Sequence, residues 1–244
     1  MEHNKVETDF QNDVFSITLN YPKKSNAYDQ KMCLDIQKAF QHANLSGAKL
    51  ILLKAEGKNF CAGADLQWMN QAQFLSEAEN LADMSAIKNM FQTILNTKLP
   101  ILGLIQGAVR GGGVGLVAAC DIVFSDQSVS FSLSEAKWGL VPGIITPIVV
   151  QKIGASSFLE LAVSSRIFDF NEALNLKLIH HHASKLAPYI DLIKSNSVNS
   201  NIKIKSIIQN HYFKDELMDE MLKISSEMRQ SEEFKLRSKK FSDS

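Results

Sequence analysis

Apolar residues recur along this chain with two different periods, and the periods take turns. Val14–Leu19 switches between apolar and polar positions, the pattern of a half-buried strand. Residues 28–45 carry Met32, Ile36, Ala39 and Phe40 at helical spacing. Residues 50–53 are wholly apolar and short, which predicts a buried strand, and Gly57-Lys58-Asn59 breaks it. Residues 60–66 read as a loop opening into the next helical region. Residues 76–96 predict an amphipathic helix with Leu81, Met84, Ile87, Phe91 and Leu95 on one face. Pro100 opens another strand, a glycine-rich stretch comes after it, and a short helix runs to Cys120. Residues 121–124 form a further buried strand. Strands alternating with helices in this way predict an α/β architecture with βα crossovers.

The pattern changes after Gly139. Pro142-Gly143 and Pro147 mark turns, and the residues beyond them are mainly helical, with one extended piece at 178–183. Residues 202–241 are charged and helical, with Leu217, Met221 and Ile224 at helical spacing. A helical tail after an α/β body is of the kind that packs on a neighbouring subunit. The chain therefore divides into a core, 1–183, and a C-terminal helical region, 184–244.

Composition narrows the partners. The 26 Lys+Arg balance the 26 Asp+Glu, so neither nucleic acid nor an anionic membrane surface is an expected partner. No apolar run is long enough to span a bilayer. The N-terminus, Met1-Glu2-His3-Asn4-Lys5, is polar and predicts no signal peptide. The 3 cysteines are scattered without metal-ligand spacing, which predicts a reducing, cytoplasmic setting and no metal. Cys61 and Cys120 sit in apolar contexts and read as core. His180-His181-His182 lies in the extended piece, where consecutive side chains point to opposite faces, so a shared metal is not expected.

Chemistry concentrates in two loops. Gly111, Gly112 and Gly113 stand in a row, with Gly107 before them and Gly115 after. Glycine costs backbone entropy, so such a run belongs where backbone must approach a ligand closely. Bare N–H groups at a helix start favour negative charge, an arrangement that serves as an anion site or oxyanion hole. The second loop is Cys61-Ala62-Gly63-Ala64-Asp65-Leu66. Both read as strand-to-helix turns, which gather at the carboxyl ends of parallel strands where ligands bind. The run matches neither the dinucleotide fingerprint nor the phosphate-loop pattern.

Five motifs, in order, carry a resemblance: Phe60 to Leu66, Gln106 to Leu116, Ala119-Cys120-Asp121-Ile122, Phe131-Ser132-Leu133-Ser134-Glu135, and Gly139-Leu140-Val141-Pro142-Gly143. Together they resemble the crotonase superfamily of enoyl-CoA hydratases and isomerases, over residues from about Val14 to about Ala183. The variant Gly63-Ala64-Asp65-Leu66 with Trp68-Met69 is most similar to the bacterial methylglutaconyl-CoA hydratase branch. The resemblance implies a spiral ββα core, trimers or dimers of trimers built through the C-terminal region, and acyl-CoA thioesters as substrates with no separate cofactor. It places oxyanion N–H groups at Ala64 and Gly112. It implies that Ala62 and Leu66 line the coenzyme channel, that the turn Lys23-Lys24-Ser25-Asn26-Ala27 lies near the coenzyme, and that Gly111 and Arg110 border the acyl chain. The tail from Phe234 to Phe241 resembles a basic helix that reaches a neighbouring subunit's coenzyme, in a shortened form.

Hydratases of this kind use two glutamates around one water. The second falls on Glu135; the first falls on Gly115, so the chain keeps one of the pair. Glu135, flanked by Phe131, Leu133, Ala136 and Trp138, is expected to have a raised pKa suited to proton transfer at the α-carbon. Arg110 precedes the glycines where an apolar residue is more common, and would bind a carboxylate on the acyl chain or a coenzyme phosphate. Asp65 is expected to cap the following helix, and Asp121 to be structural. The expected function is an enoyl-CoA hydratase-type lyase on a short, branched, carboxylated acyl-CoA. The alternatives are a double-bond isomerase with Glu135 as sole acid/base, or a catalytically silent acyl-CoA binder.

Overall fold

A computed structural model describes residues 4–212 and 215–242, without the side chains of 210–215 and 239–242. The N-terminal residues 1–3 and the end of the basic tail, from Lys239 on, thus lie outside what is described of side chains. The chain opens with a hairpin, β1 (Val6–Gln11) and β2 (Val14–Leu19), turned by Asn12 and Asp13 at φ 50° and 66°. Two consecutive positive φ angles give the turn whose twist matches paired strands. The sequence pattern showed no sign of β1 because all but its first residue is exposed. Next come α1 (Gln30–Leu45) and β3 (Leu50–Ala55). The helix starts at Gln30 because the Asp29 carboxylate accepts the Met32 N–H.

The elements α2 (Leu66–Asn70), α3 (Glu77–Leu95) and β4 (Ile101–Ile105) come after β3. In α3 the Ser76 and Glu79 side chains form a reciprocal capping box. Then come β5 (Ala108–Arg110), α4 (Gly112–Ala118), β6 (Ile122–Ser125) and β7 (Ser130–Ser132). The second half holds α5 (Thr146–Ile153), α6 (Ala155–Ser164), β8 (Phe168–Asp169), α7 (Phe170–Asn175), β9 (His181–His182) and α8 (Leu186–Ser195). It closes with α9 (Val198–Tyr212), α10 (Asp215–Arg229) and α11 (Glu232–Ser242). Among the described residues no helix is long and apolar enough to cross a membrane.

The main sheet has the order β1-β2-β3-β4-β6-β9 and is parallel except for the β1 edge. Alternation along its strands feeds two cores. Ile51, Leu53 and Ile101 join Ile36, Phe40, Ile87 and Phe91 of α1 and α3. Leu50, Leu102 and Phe124 face the other way, against Tyr189, Ile190 and Ile193 of α8. The extended piece at 178–183 narrows to β9, which pairs with the end of β6.

The glycine stretch departs from the expected direct strand-to-helix turn. Between β4 and α4 the chain leaves the main sheet and forms β5, which joins β7 and β8 in a second sheet. Gly107 makes the exit: its φ is +60°, and a Cβ there would lie 2.0 Å from the Lys58 carbonyl oxygen. Strands of three and two residues are too short for periodicity to reveal.

The C-terminal helices differ from the expected face. Met218, Leu222, Ser225, Ser226 and Arg229 are buried on α10, while Leu217 and Ile224 are exposed. Apolar residues occupy both stripes, and polar partners choose between them: Asn80 Nδ2 donates to the Ser226 carbonyl and Oγ, both at 2.8 Å. Arg229, with 0% of its side chain exposed, donates to the carbonyls of Trp68 and Met69, to Asn80 Oδ1, and to the Asp83 carboxylate at 2.6 Å. It fastens α2, α3 and α10 together. Removing one member of such a pair leaves buried groups unpaired. Arg229→Ala should therefore lower the unfolding free energy by about 3–5 kcal/mol, read as a fall in the urea midpoint.

Candidate active site

Three stretches of chain lie side by side under the cavity. Tyr28 donates its N–H to the Gly63 carbonyl and accepts from the Asp65 N–H, a parallel bridge between Tyr28 and Ala64. In a parallel ladder the residue opposite turns its own N–H the other way, so the Ala64 N–H faces away from Tyr28. On the far side of this loop, Cys61 bridges Val109, with the Arg110 N–H donating to the Cys61 carbonyl at 3.0 Å. The Gly111 N–H goes to Ser132 at 2.9 Å. The next N–H, that of Gly112, opens α4, where first-turn donors have no acceptor within the helix. Among the described residues neither the N–H of Ala64 nor that of Gly112 meets a main-chain or side-chain acceptor. Both residues line one cavity of about 430 Å³.

Met69, Met84, Ile87, Leu140, Ile144 and Ile145 give this cavity apolar walls. Glu135 enters it from a single 3-10 turn, residues Glu135–Trp138, ended by Gly139 at φ +73°. Its Oε2 is buried without a hydrogen-bond partner. Its Oε1 would lie 3.0 Å from a Cβ on Gly111, so any side chain at 111 displaces the carboxyl. Burial raises its pKa to about 7. The site thus combines two main-chain donors, one enclosed carboxyl that ionises near neutrality, and an apolar chamber. That set can stabilise charge on a carbonyl oxygen while moving a proton at a neighbouring carbon.

The sequence model of the enoyl-CoA hydratase/isomerase family matches residues 9–243. The chain belongs to this family. It is 30% identical over 177 residues to the peroxisomal Delta(3,5)-Delta(2,4)-dienoyl-CoA isomerase of Arabidopsis thaliana, covering 68% of this chain and 64% of that one. It is 25% identical over 219 residues to the trans-2-decenoyl-[acyl-carrier-protein] isomerase of Streptococcus mutans, covering 85% and 82%. A solved enoyl-CoA hydratase from Shewanella pealeana superposes with a TM-score of 0.81 at 29% identity, covering 98% of this chain and 94% of that one. The chain spans about two thirds of the length of curated relatives such as the Arabidopsis protein. The fold is the expected crotonase spiral with its C-terminal helices.

Within the family frame, Gly115 is informative. A Cβ there would lie 2.3 Å from Ile145 Cγ2 and 2.9 Å from the Phe91 ring. The place where the resemblance puts a first glutamate is filled by apolar neighbours, and a longer side chain at 115 has no room without moving them.

The other expected residues divide. Ala62, Leu66, Gly111 and Arg110 line the cavity with Ala64, Gly112 and Glu135; Lys24 and Ala27 do not. Lys24 Nζ is held by the Asp65 carboxylate at 2.6 Å and by Gln67 at 2.8 Å, and the bond to Asp65 raises its pKa. The Ala27 N–H donates to the Lys24 carbonyl inside the same turn. Asp65 accepts the N–H groups of Gln67 and Trp68 as the cap of α2. Arg110 folds back on β7, its Nη1 donating to the Ser130 carbonyl at 2.6 Å and its Nη2 to Ser130 Oγ at 3.0 Å. No carboxylate pairs with it among the described residues, and burial lowers its pKa. Asp121 accepts the Ile101 N–H and pairs with Lys205, both at 2.7 Å.

Cys61 and Cys120 are buried, and burial pushes both thiols up to about 12, far from a nucleophile's range. His180 Nδ1 accepts the Val123 N–H, His181 packs on Phe124 and Tyr189, and His182 Nδ1 accepts from Ser184. Phe234 of the tail is buried, and the residues beside it pack on the Gly139 turn of the same chain. Sequence reasoning missed two residues of this cavity. Ser225 of α10 has a buried, unpartnered Oγ, and Tyr28 places its hydroxyl 1.8 Å from a Cβ built on Gly112. Only the hydroxyl on Tyr28, beside the turn of residues 23–27, could have served as a signal.

The raised pKa of Glu135 has a stability consequence. At acid pH the carboxyl is protonated in both folded and unfolded chains. As pH rises the unfolded chain, with an ordinary pKa of about 4.3, ionises first. Folded stability is then lost progressively until the folded carboxyl ionises at about pH 7. Glu135→Gln removes this penalty. Its gain in thermal midpoint over wild type should be smallest at acid pH, grow up to about pH 7 and then level off, as followed by calorimetry across pH.

Proposed function

We propose that this chain is an enoyl-CoA hydratase-type lyase that acts on a short, branched, carboxylated acyl-CoA of the 3-methylglutaconyl kind, through a thioester enolate. The observation that carries the reading is one enclosed carboxyl, Glu135, whose buried Oε2 has no partner, on the same apolar cavity as Ala64 and Gly112. The thioester oxygen takes those two N–H groups, which stabilise the charge that gathers there as oxygen adds at C3. Glu135 removes a proton from water as the C3–O bond forms, then returns it to C2 as the enolate collapses. One carboxyl with a pKa near 7 serves as base and then acid. The buried Ser225 Oγ supports hydration, because it offers a second polar group to a water in an otherwise apolar chamber.

Arg110 supports a carboxylated acyl chain: it lines the cavity as a half-buried cation with no acidic partner among the described residues. The coenzyme passes Ala62 and Leu66 toward the turn of Lys24 and Ala27. Proton and water transfer require no electron sink, so no cofactor beyond the substrate's own CoA is invoked. Three free, buried thiols support a reducing, cytoplasmic setting.

A second reading is a double-bond isomerase. It is favoured by the apolar filling at Gly115, since one carboxyl suffices to move a proton between C2 and C4. Initial rates on 3-methylglutaconyl-CoA, crotonyl-CoA and a 3-enoyl-CoA separate the readings. The expected result is hydration, fastest on 3-methylglutaconyl-CoA, with Glu135→Gln lowering kcat about 10²–10⁴-fold. In the same assay Arg110→Ala should raise KM about 10-fold or more for the carboxylated substrate and leave crotonyl-CoA unaffected. Turnover of the 3-enoyl-CoA alone would select the isomerase. CoA-ester binding without turnover would overturn both in favour of a silent binder.

A homo-oligomer, as a trimer or dimer of trimers, is part of the same proposal. Leu159 and Val163, one turn apart on α6, are 63% and 72% exposed, and Ile167 beyond them is 60% exposed. Light scattering should give a mass of three or six chains, and Leu159→Lys with Val163→Glu should reduce it.

A further inference from the structure

Resting on the enolate reading of the site, we infer that the Tyr28 hydroxyl is a third hydrogen-bond donor to the thioester oxygen, completing an oxyanion site otherwise made of main chain. The geometry comes from both ends of the residue. Its backbone bridges Ala64, the first oxyanion residue. Its hydroxyl ends against Gly112, the second, where a Cβ would lie 1.8 Å from the phenol oxygen. The side chain thus spans the gap between the two main-chain donors. At the neighbouring residue, the Glu135 carboxyl rests against Gly111. An oxygen bound by the Gly112 N–H therefore lies close to both a carboxyl that works at C2 and a phenol.

Tyr28 is 2% exposed and lines the cavity. Buried tyrosine hydroxyls in folded proteins find a partner, and the cavity is where this one can. Burial and the nearby Glu135 hold the phenol well above its ordinary pKa, so it stays protonated and can donate. Ser225 Oγ, the orphaned hydroxyl of the cavity, sits against Gly143, on neither oxyanion residue. The fit also explains why Gly112 admits no side chain: any Cβ would collide with the phenol.

Tyr28→Phe keeps the ring and removes the donor. The probe is butyryl-CoA, a saturated thioester whose C2 proton Glu135 can remove and replace from solvent without hydration or isomerisation. In D₂O, proton NMR tracks loss of the C2–H signal. With a ¹³C-labelled thioester carbon, the resonance of the bound carbonyl reports its polarisation directly. Tyr28→Phe should slow exchange about 10²-fold, move the bound ¹³C resonance upfield, and change the affinity for butyryl-CoA less than about twofold. An unchanged exchange rate and resonance, with Glu135→Gln still abolishing exchange, would overturn the role of Tyr28 and leave the reading of the site intact. A wild-type protein that binds butyryl-CoA but neither exchanges C2–H nor shifts the carbonyl resonance would overturn both. A merely structural Tyr28 would change affinity or folding without moving the bound resonance.

Discussion

The site depends on one register: Tyr28 opposite Ala64, and Cys61 opposite Val109. Those bridges use up the N–H groups of Tyr28, Asp65 and Arg110, and through β7 that of Gly111. They leave the N–H groups of Ala64 and Gly112 facing the cavity. A slip of one residue in either bridge would exchange satisfied and unsatisfied donors, because the direction of N–H groups alternates along an extended chain. The glycines obey the same constraint. Gly113 lies so close to the Cys61 loop that a Cβ would meet its carbonyl at 2.5 Å. The placement of these two donors is thus a property of backbone pairing, and side chains mainly fix which strands can pair.

Much of this was legible in the sequence because the relevant signals are local. The strand β2 alternates apolar and polar residues, β3, β4 and β6 are apolar runs, and α1 and α3 carry clear periods and caps. Asp65 announced its role as a cap by standing before an apolar stretch, and the motif around Glu135 pointed to an enclosed carboxyl. What escaped was whatever long-range contact decides. The strands β5, β7 and β8 are too short to have a period, and exist because they pair with each other. The buried stripe of α10 is selected by Asn80 and by the cluster around Arg229, from far away in sequence. Lys24 was legible as a cation but not as a cation already held by Asp65. Tyr28 was visible only as the start of a helical pattern, since its hydroxyl acquires meaning from Gly112, more than eighty residues on.

The filling around Gly115 and the polar groups of the cavity belong to one arrangement. Ile145 and Phe91 close the place where the resemblance puts a second carboxylate, and burial raises the pKa of Glu135. The polar atoms still facing the cavity are hydroxyls and main-chain donors, which orient a ligand without competing with Glu135 for charge. Arg110 and Lys137 are the exceptions, and Arg110 is held back by Ser130 at the cavity border.

Arg229 also sets an order of events. The carbonyls of Trp68 and Met69, one turn past the oxyanion loop, wait for a donor 161 and 160 residues later in the chain. Until α10 has been made and docked, those carbonyls and the Asp83 carboxylate have no internal partner in that arginine, and the Ser225 wall of the cavity is absent. Contacts of such sequence separation form late, because the loop they close is long. During synthesis on the ribosome, the wall that Ser225 gives the cavity therefore forms only when the last helices arrive. Over that interval a nascent chain exposes the same apolar lining that a chaperone would bind, and its protection comes from the end of the chain rather than from the residues that perform the chemistry.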